Sequence, residues 1–148
     1  MPEIHSEILV SAPPPRVYSL AKEVERLPEF LPNIEKVIVR SREGDRTVSE
    51  WVAFVPEFKR KISWVEEDIW DDDELACTFR ATSGDWRQYQ GTWCFRAEGE
   101  GTLVTLDISY EYNVPLIGPL IKKLLHKLMA RNTDETLQGL RRRVQEAD

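Results

Sequence analysis

Hydrophobic and polar residues alternate along most of the chain with the period of two that predicts β-strands. In the first such segment, Ile4, Ile8 and Val10 alternate with polar residues such as Glu7. Turn-forming residues such as Gly44-Asp45 separate the later segments. The pattern predicts strands over Glu3–Ala12, Ile34–Arg42, Thr47–Val55, Phe58–Trp70, Leu75–Thr82, Trp86–Ala97 and Thr102–Tyr112.

Three segments have helical spacing instead. Pro14–Glu23 begins with prolines that suit the first turn of a helix, and Leu27–Pro32 has room for one short helical turn between its prolines. From Leu120 to Val144 the apolar residues recur with a period of 3.6, which predicts one long amphipathic helix. Consecutive strands with short turns form an antiparallel sheet, and this last helix is long enough to cover one face. The sequence therefore predicts an α+β fold.

Composition indicates one globular domain over residues 1–148. Of the 148 residues, 41% are hydrophobic and 31% are charged, which is typical of a chain that buries a core. A net charge of −6 argues against a nucleic-acid surface, because phosphate binding needs a concentrated positive field. The chain has no apolar run long enough to span a bilayer, and it starts without the basic and apolar regions of a secretory signal. We therefore expect a cytoplasmic protein that binds no nucleic acid.

Metal-ligating and nucleophilic residues are sparse. Cys77 and Cys94 do not have zinc spacing, and the two histidines, His5 and His126, are far apart in sequence. His126 lies among lysines, as on a solvated helix flank. The sequence predicts no metal site, no cofactor, and two thiols close together on neighbouring strands.

An acid and base pair is also hard to place. Glu50 and Gln90 have the parity to enter a cavity, Tyr110 offers a hydroxyl, and Asp107 has the parity of a solvent-facing residue. Because these residues do not combine into an acid/base pair, we assign no catalytic residue.

Three motifs carry a resemblance to a known family. They are the segment Ile8–Tyr18 around Ala12-Pro13, the segment Glu25–Pro32 with its Phe30-Leu31-Pro32, and the strand Gly91-Thr92-Trp93-Cys94-Phe95. Their order resembles the START/Bet v 1-like (SRPBCC) superfamily, in particular its bacterial polyketide cyclase/dehydrase and coenzyme Q-binding branch. The resemblance implies a helix-grip fold. In this fold a curved antiparallel sheet of seven strands wraps around the C-terminal helix, two short helices follow strand 1, and a ligand cavity lies between sheet and helix.

The expected function is non-catalytic binding or transport of a hydrophobic molecule, such as a lipid, quinone, isoprenoid or polyketide-like compound. A cyclase or aromatase-like enzyme would instead need polar groups with perturbed pKa inside the cavity, and a ribosome-associated type of interaction module would have a filled cavity. Strand parity and the helix stripe predict the ligand-binding residues Val37, Val52, Phe54, Phe58, Ile62, Phe79, Trp93, Phe95, Leu106, Ile108, Tyr110, Leu120, Leu124 and Leu128.

The segment 113–119 joins the last strand to the long helix and contains two prolines and Gly118. Leu116 and Ile117 are expected near the cavity mouth, close to Lys122. An apolar tip flanked by lysines favours transient contact with an anionic membrane surface. The alternative, that Leu116 and Ile117 plug the end of the core, stays open at this point.

Overall fold

The computed structural model of the protein describes residues 2–31, 33–112 and 119–146, without the side chain of Phe58. The elements are β1 (Glu3–Val10), α1 (Pro14–Ala21), a 3-10 helix (Val24–Glu29), β2 (Ile34–Glu43), β3 (Arg46–Val55), a 3-10 turn (Pro56–Phe58), β4 (Arg60–Asp71), β5 (Ala76–Gly84), β6 (Trp86–Glu98), β7 (Gly101–Tyr112) and α2 (Pro119–Glu146). Every predicted strand and helix is present, so the predicted fold is confirmed.

The strands form one sheet in the order β1-β7-β6-β5-β4-β3-β2, and every neighbouring pair is antiparallel. Strands β2 to β7 follow one another as a meander, and β1 closes the far edge beside β7. Register shifts interrupt β2, the β4–β5 pair and the start of β6. Because bulges increase the local twist, they allow the sheet to curve around the helix.

The short helix after α1 starts earlier than the sequence predicts. A helical turn is predicted at Leu27–Pro32, whereas the 3-10 helix spans Val24–Glu29. Val24 and Leu27 are both buried in it, so its own apolar spacing sets where it starts. Pro28 lies inside this helix, which a 3-10 segment tolerates because few of its backbone N–H groups need partners.

Helix α2 packs on the body of the protein through its later turns. Its buried apolar residues begin at Leu125 and continue through Leu137 to Val144, whereas residues 119–124 are all exposed. Gly139 allows the closest approach: an added Cβ would lie 2.7 Å from Leu31 Cδ2 and 3.0 Å from Phe30 O. The first turns of α2 are therefore not packed on the body of the protein.

The two cysteines lie on neighbouring strands, as predicted, and both are free thiols. In the β5–β6 register Cys77 is opposite Trp93, and Cys94 is opposite Ala76. The two thiols are thus offset by one residue, and since side chains alternate along a strand they point to opposite faces of the sheet. Burial raises the pKa of the Cys77 thiol, so Cys77 is not an activated nucleophile.

Candidate functional site

A cavity of about 120 Å³ lies between the concave face of the sheet and helix α2. Its floor is formed by β3 to β7, its roof by α2, and one end by the segment around Leu27 and Leu31. The wall is mainly apolar and aromatic. The cavity is lined by Leu27, Leu31, Ile34, Trp51, Ala53, Val55, Ile62, Trp64, Glu66, Phe79, Trp86, Tyr89, Trp93, Leu106, Ile108, Met129, Asn132, Thr133 and Thr136.

Four rings, which we call the aromatic wall, form one side of the cavity: Trp51, Trp64, Trp86 and Tyr89. Trp51 and Trp64 stack with ring centroids 5.7 Å apart, because they are directly opposite each other in the β3–β4 register. Trp86 and Tyr89 stack at 5.0 Å, and the edge of Trp64 meets Trp86 at 6.1 Å. This continuous contact fixes the rings in place, so the wall is rigid.

Two carboxyl groups on the same face of β4, Glu66 and Asp68, form what we call the acidic pair. Their exposed fractions are only 6% and 2%. The indole Nε1 of Trp64 donates a hydrogen bond to Glu66 Oε1 over 3.1 Å. The β4–β5 register shifts between Val65 and Glu66, at the point where the carboxyl of Glu66 enters the cavity wall. Bulges of this kind frequently re-aim a side chain beside a functional site.

Burial and mutual repulsion keep the acidic pair partly protonated. The pKa of Glu66 is raised well above its ordinary value, first by burial and then by the charge of Asp68. Burial raises the pKa of Asp68 to about 6, although its hydrogen bond with Glu66 acts in the opposite direction. Because both pKa values are raised and the two charges repel each other, the acidic pair loses its two protons in separate steps and passes through a state with one proton and one negative charge. Asp68 Oδ1 is buried and has no hydrogen-bond partner among the described residues.

The helix roof contributes polar groups as well. The hydroxyls of Thr133 and Thr136 donate to the carbonyls of Met129 and Asn132, each over 2.8 Å. The side chain of Asn132 also accepts a hydrogen bond from Asn33 Nδ2 over 3.2 Å. Because both threonine protons are already committed to the helix backbone, the two hydroxyls present only lone pairs to the cavity.

The predicted ligand-binding residues fall into three groups in the structure. The first group lines the cavity and consists of Ile62, Phe79, Trp93, Leu106 and Ile108. The second group is buried in the surrounding core without lining the cavity and consists of Val37, Phe95, Tyr110 and Leu128. Tyr110 is within hydrogen-bond distance of His126, at 3.1 Å between its hydroxyl and Nδ1. The side chain of Phe58 lies outside the described residues.

The third group is wrongly placed by the sequence prediction. Val52 and Phe54 are not in the cavity, because β3 directs Trp51, Ala53 and Val55 inward. A shift of one residue exchanges the two faces of a strand, and this run is apolar at every position. The predicted parity of β3 was therefore off by one.

Leu120 and Leu124 are also misplaced, since they are 81% and 39% exposed. The apolar stripe of α2 was expected to cover the sheet from its first turn, but residues 119–124 are all exposed. Leu116 and Ile117 lie outside the described residues, and Lys122 is exposed on the first turns of α2. Membrane contact through these residues stays a prediction.

The sequence reasoning missed the acidic pair. Glu50 was considered as a cavity carboxylate, but it lies on the outer face, where it forms an ion pair with Arg40. Gln90 lines an outer groove. The signal that was available is parity: Glu66 and Asp68 alternate in register with Ile62, Trp64 and Trp70, which are all buried. A strand that is apolar at the other positions of the same face predicts that its carboxyls are buried too.

A larger but open groove, of about 620 Å³, lies on the outer face of the sheet. Four of its titratable side chains form ion pairs: His5 Nδ1 is 2.6 Å from Asp107 Oδ1, and Arg80 Nε is 3.2 Å from Glu67 Oε1. Asp107 thus faces solvent, as predicted. The groove is open to water, where such pairs contribute little binding free energy.

Within residues 2–31, 33–112 and 119–146, no three histidine, cysteine or acidic side chains converge as they would around a metal ion. The same part of the chain contains no helix with the length and hydropathy to cross a bilayer.

Comparisons with known proteins place the cavity in context. Residues 10–136 match the family model described as polyketide cyclase / dehydrase and lipid transport. The structure of TTHA0849 from Thermus thermophilus is 45% identical, covers 99% of each chain and has a TM-score of 0.95. None of the curated proteins matches the sequence.

Two more distant structures share the fold. The Zhui aromatase/cyclase from Streptomyces sp. R1128 is 15% identical, with 97% of this chain and 93% of that chain covered and a TM-score of 0.87. A STAR-related lipid transfer protein from Xanthomonas axonopodis is 13% identical, with 97% and 85% covered and a TM-score of 0.79. The same architecture therefore occurs in proteins named for cyclisation and for lipid transfer.

Proposed function

Because the chain belongs to the polyketide cyclase / dehydrase and lipid transport family, we propose that it binds a hydrophobic small molecule between the concave face of the sheet and α2. One observation carries the proposal: the space there is bounded by the aromatic wall and by aliphatic side chains of β3, β4 and β7. Cavities lined in this way gain binding free energy from the apolar area that a ligand buries.

The size of the cavity limits what it can enclose. Its volume of about 120 Å³ is roughly ten times what one water needs, and it is smaller than the several hundred Å³ typical of drug-sized ligands. One aromatic ring or a short chain segment fits. A longer lipid, quinone, isoprenoid or polyketide-like molecule fits with one end enclosed and its remainder outside the cavity.

Fluorobenzene is expected to bind the wild-type protein saturably, as measured by the change of its fluorine NMR signal. Replacing Ala53, which lines the cavity, by Phe fills the space and should weaken binding by at least about tenfold, since each buried methylene contributes roughly 0.8 kcal/mol. The matched control is Val52→Phe, which adds the same ring to the outer face of the same strand. Equal affinity of the two variants, or no saturable signal in the wild type, would show that this cavity is not the binding site.

A second candidate function, cyclisation of a polyketide-like substrate, is favoured by the acidic pair. A neutral Glu66 carboxyl at the cavity wall can donate a proton to a carbonyl oxygen, and its conjugate carboxylate can take a proton from carbon. Carboxyl groups with raised pKa inside a cavity are the feature that distinguishes an enzyme of this kind from a carrier.

Heptane-2,4,6-trione is a suitable probe, because its cyclised product is a single aromatic ring, which the cavity can enclose. If the protein is a cyclase, the terminal methyl carbon attacks the distal carbonyl, one water leaves, and orcinol forms, which chromatography quantifies. Glu66→Gln should then lower the rate by roughly a hundredfold or more while fluorobenzene still binds. Glu67→Gln is the control, because Glu67 lies on the outer face in ion pairs with Arg46 and Arg80. If the wild type yields orcinol no faster than buffer, this candidate fails and the binding function stands.

A further inference from the structure

The geometry points to a ligand whose buried end is a protonated amine, held by Glu66 of the acidic pair and facing the aromatic wall; this assignment rests on the proposed binding function. The cavity is apolar on most of its surface, and Glu66 is the one acidic residue of its described lining, with Asp68 buried two residues further along the same face of β4. We therefore infer a small organic cation with a ring or short alkyl body.

The first argument is the unbalanced charge. The effects that shift the two carboxyls are burial, their mutual interaction, the Trp64 indole and Glu67, with no basic side chain of the described chain among them. Buried charges in proteins are ordinarily paired with an opposite charge. Asp68 Oδ1, 2% exposed as a residue, also lacks a hydrogen-bond donor within the described part of the chain. A cation brought by the ligand to Glu66 supplies the opposite charge that this pair lacks.

The second argument is energetic preorganisation. A buried ion pair usually gains little, because both ions must lose their water. Here the carboxyls are already dehydrated in the folded protein, so binding requires dehydration of the ammonium group alone. Because Glu66 and Asp68 share a proton, the negative charge can move to the cavity-facing Glu66 without any change in the number of bound protons. A neutral ligand of the same size leaves this charge unpaired.

The third argument is the chemistry of the surrounding surface. The faces of tryptophan and tyrosine rings attract cations, and the four rings of the aromatic wall line the same cavity as Glu66, with Trp64 hydrogen-bonded to it. Across the cavity, the hydroxyls of Thr133 and Thr136 accept but do not donate, since their protons bond to Met129 O and Asn132 O. An ammonium group has several N–H donors, which match a site rich in acceptors.

The test uses ethylbenzene, benzyl alcohol and benzylamine, which share a ring and have the same number of non-hydrogen atoms. Each competes with fluorobenzene for the wild-type protein at neutral pH, and the fluorine NMR signal reports the displacement. Benzylamine should displace the probe at a concentration at least about tenfold lower than the other two compounds, the difference that a charge-assisted hydrogen bond provides. Benzylamine that binds no better than ethylbenzene would overturn the assignment.

Two variants connect the preference to the acidic pair. Glu66→Gln removes the carboxyl that contacts the ligand and should abolish the tenfold preference while ethylbenzene still binds. Asp68→Asn leaves Glu66 as the sole carboxyl of the pair and removes the charge that opposes its ionisation, so it should keep the preference. Glu67→Gln, on the outer face, should also keep it. A preference that survives Glu66→Gln overturns the assignment and leaves the proposed function intact. If fluorobenzene and ethylbenzene both fail to bind the wild type, the proposed function fails, and the amine assignment fails with it.

Discussion

Asp68→Asn is expected to gain about 3 kcal/mol of stability relative to the wild type as the pH rises from about 3 to about 8, because the folded wild type holds a proton that it must then release. The pKa of Asp68 is raised from 3.8 to about 6 by burial. At about 1.4 kcal/mol per unit, this shift accounts for the expected change. Urea unfolding of both proteins at several pH values measures it.

The sign of this change in stability follows from the linkage between proton binding and folding. The pKa of Asp68 is higher in the folded state, so its protonated form stabilises the fold below the unfolded pKa, and this contribution is lost as the pH rises through about 6. Exposed carboxyls such as Asp72, whose pKa is lowered by Tyr18 and Lys22, act in the opposite direction. They are present in both proteins, so the comparison cancels their effect.

Glu67→Gln is the control for a carboxyl of the opposite kind. Arg46 holds the pKa of Glu67 below its ordinary value, so this substitution should produce no relative gain at high pH. If the stabilities of the Asp68→Asn variant and the wild type change in parallel over the whole pH range, the pKa of Asp68 is the same in the folded and the unfolded state. The raised pKa of Asp68 would then have to be abandoned.

The sequence predicts which residues of a strand face the cavity only where hydrophobic and polar residues alternate regularly along that strand. On β6 the residues Trp93 and Phe95 alternate with Cys94 and Thr92, and both lie on the inward face: Trp93 lines the cavity and Phe95 is buried in the core beside it. On β3 the run from Trp51 to Val55 is apolar throughout, so hydrophobicity does not distinguish the two faces. The face of β3 that points into the cavity is set by the pairing of Trp51 with Trp64 on β4. This is a long-range contact, which a local sequence pattern does not contain.

The acidic pair shows a second limit, which comes from the usual cost of burying charge. Glu66, Glu67 and Asp68 are consecutive acidic residues, and such a run is normally solvated. In the structure only Glu67 reaches arginine partners on the outer face, while its neighbours are turned inward and partly neutralised by protons. To predict that Glu66 and Asp68 are buried, the alternation of residues along β4 has to be given more weight than the hydrophilic character of the acidic run.

Gly91→Ala is expected to cost about 3 kcal/mol or more of unfolding free energy, because the sheet has no space for a methyl group there. An added Cβ would lie 2.2 Å from the backbone oxygen of Asp107 and 2.5 Å from Phe79 Cζ. A carbonyl held in the β6–β7 ladder cannot move without breaking strand pairing. Since Phe79 lines the cavity, any accommodation by its ring also changes the space available to a ligand.

Gly99→Ala separates this steric effect from the general cost of replacing glycine. Gly99 has a φ of +59° and nothing within 4 Å of an added Cβ, so alanine there meets backbone strain alone, of about 1 kcal/mol. Urea unfolding compares the two variants, and fluorobenzene binding to folded Gly91→Ala protein reports the displacement of Phe79. If Gly91→Ala is no less stable than Gly99→Ala and binds the probe unchanged, the close packing of Phe79 on Gly91 does not shape the cavity.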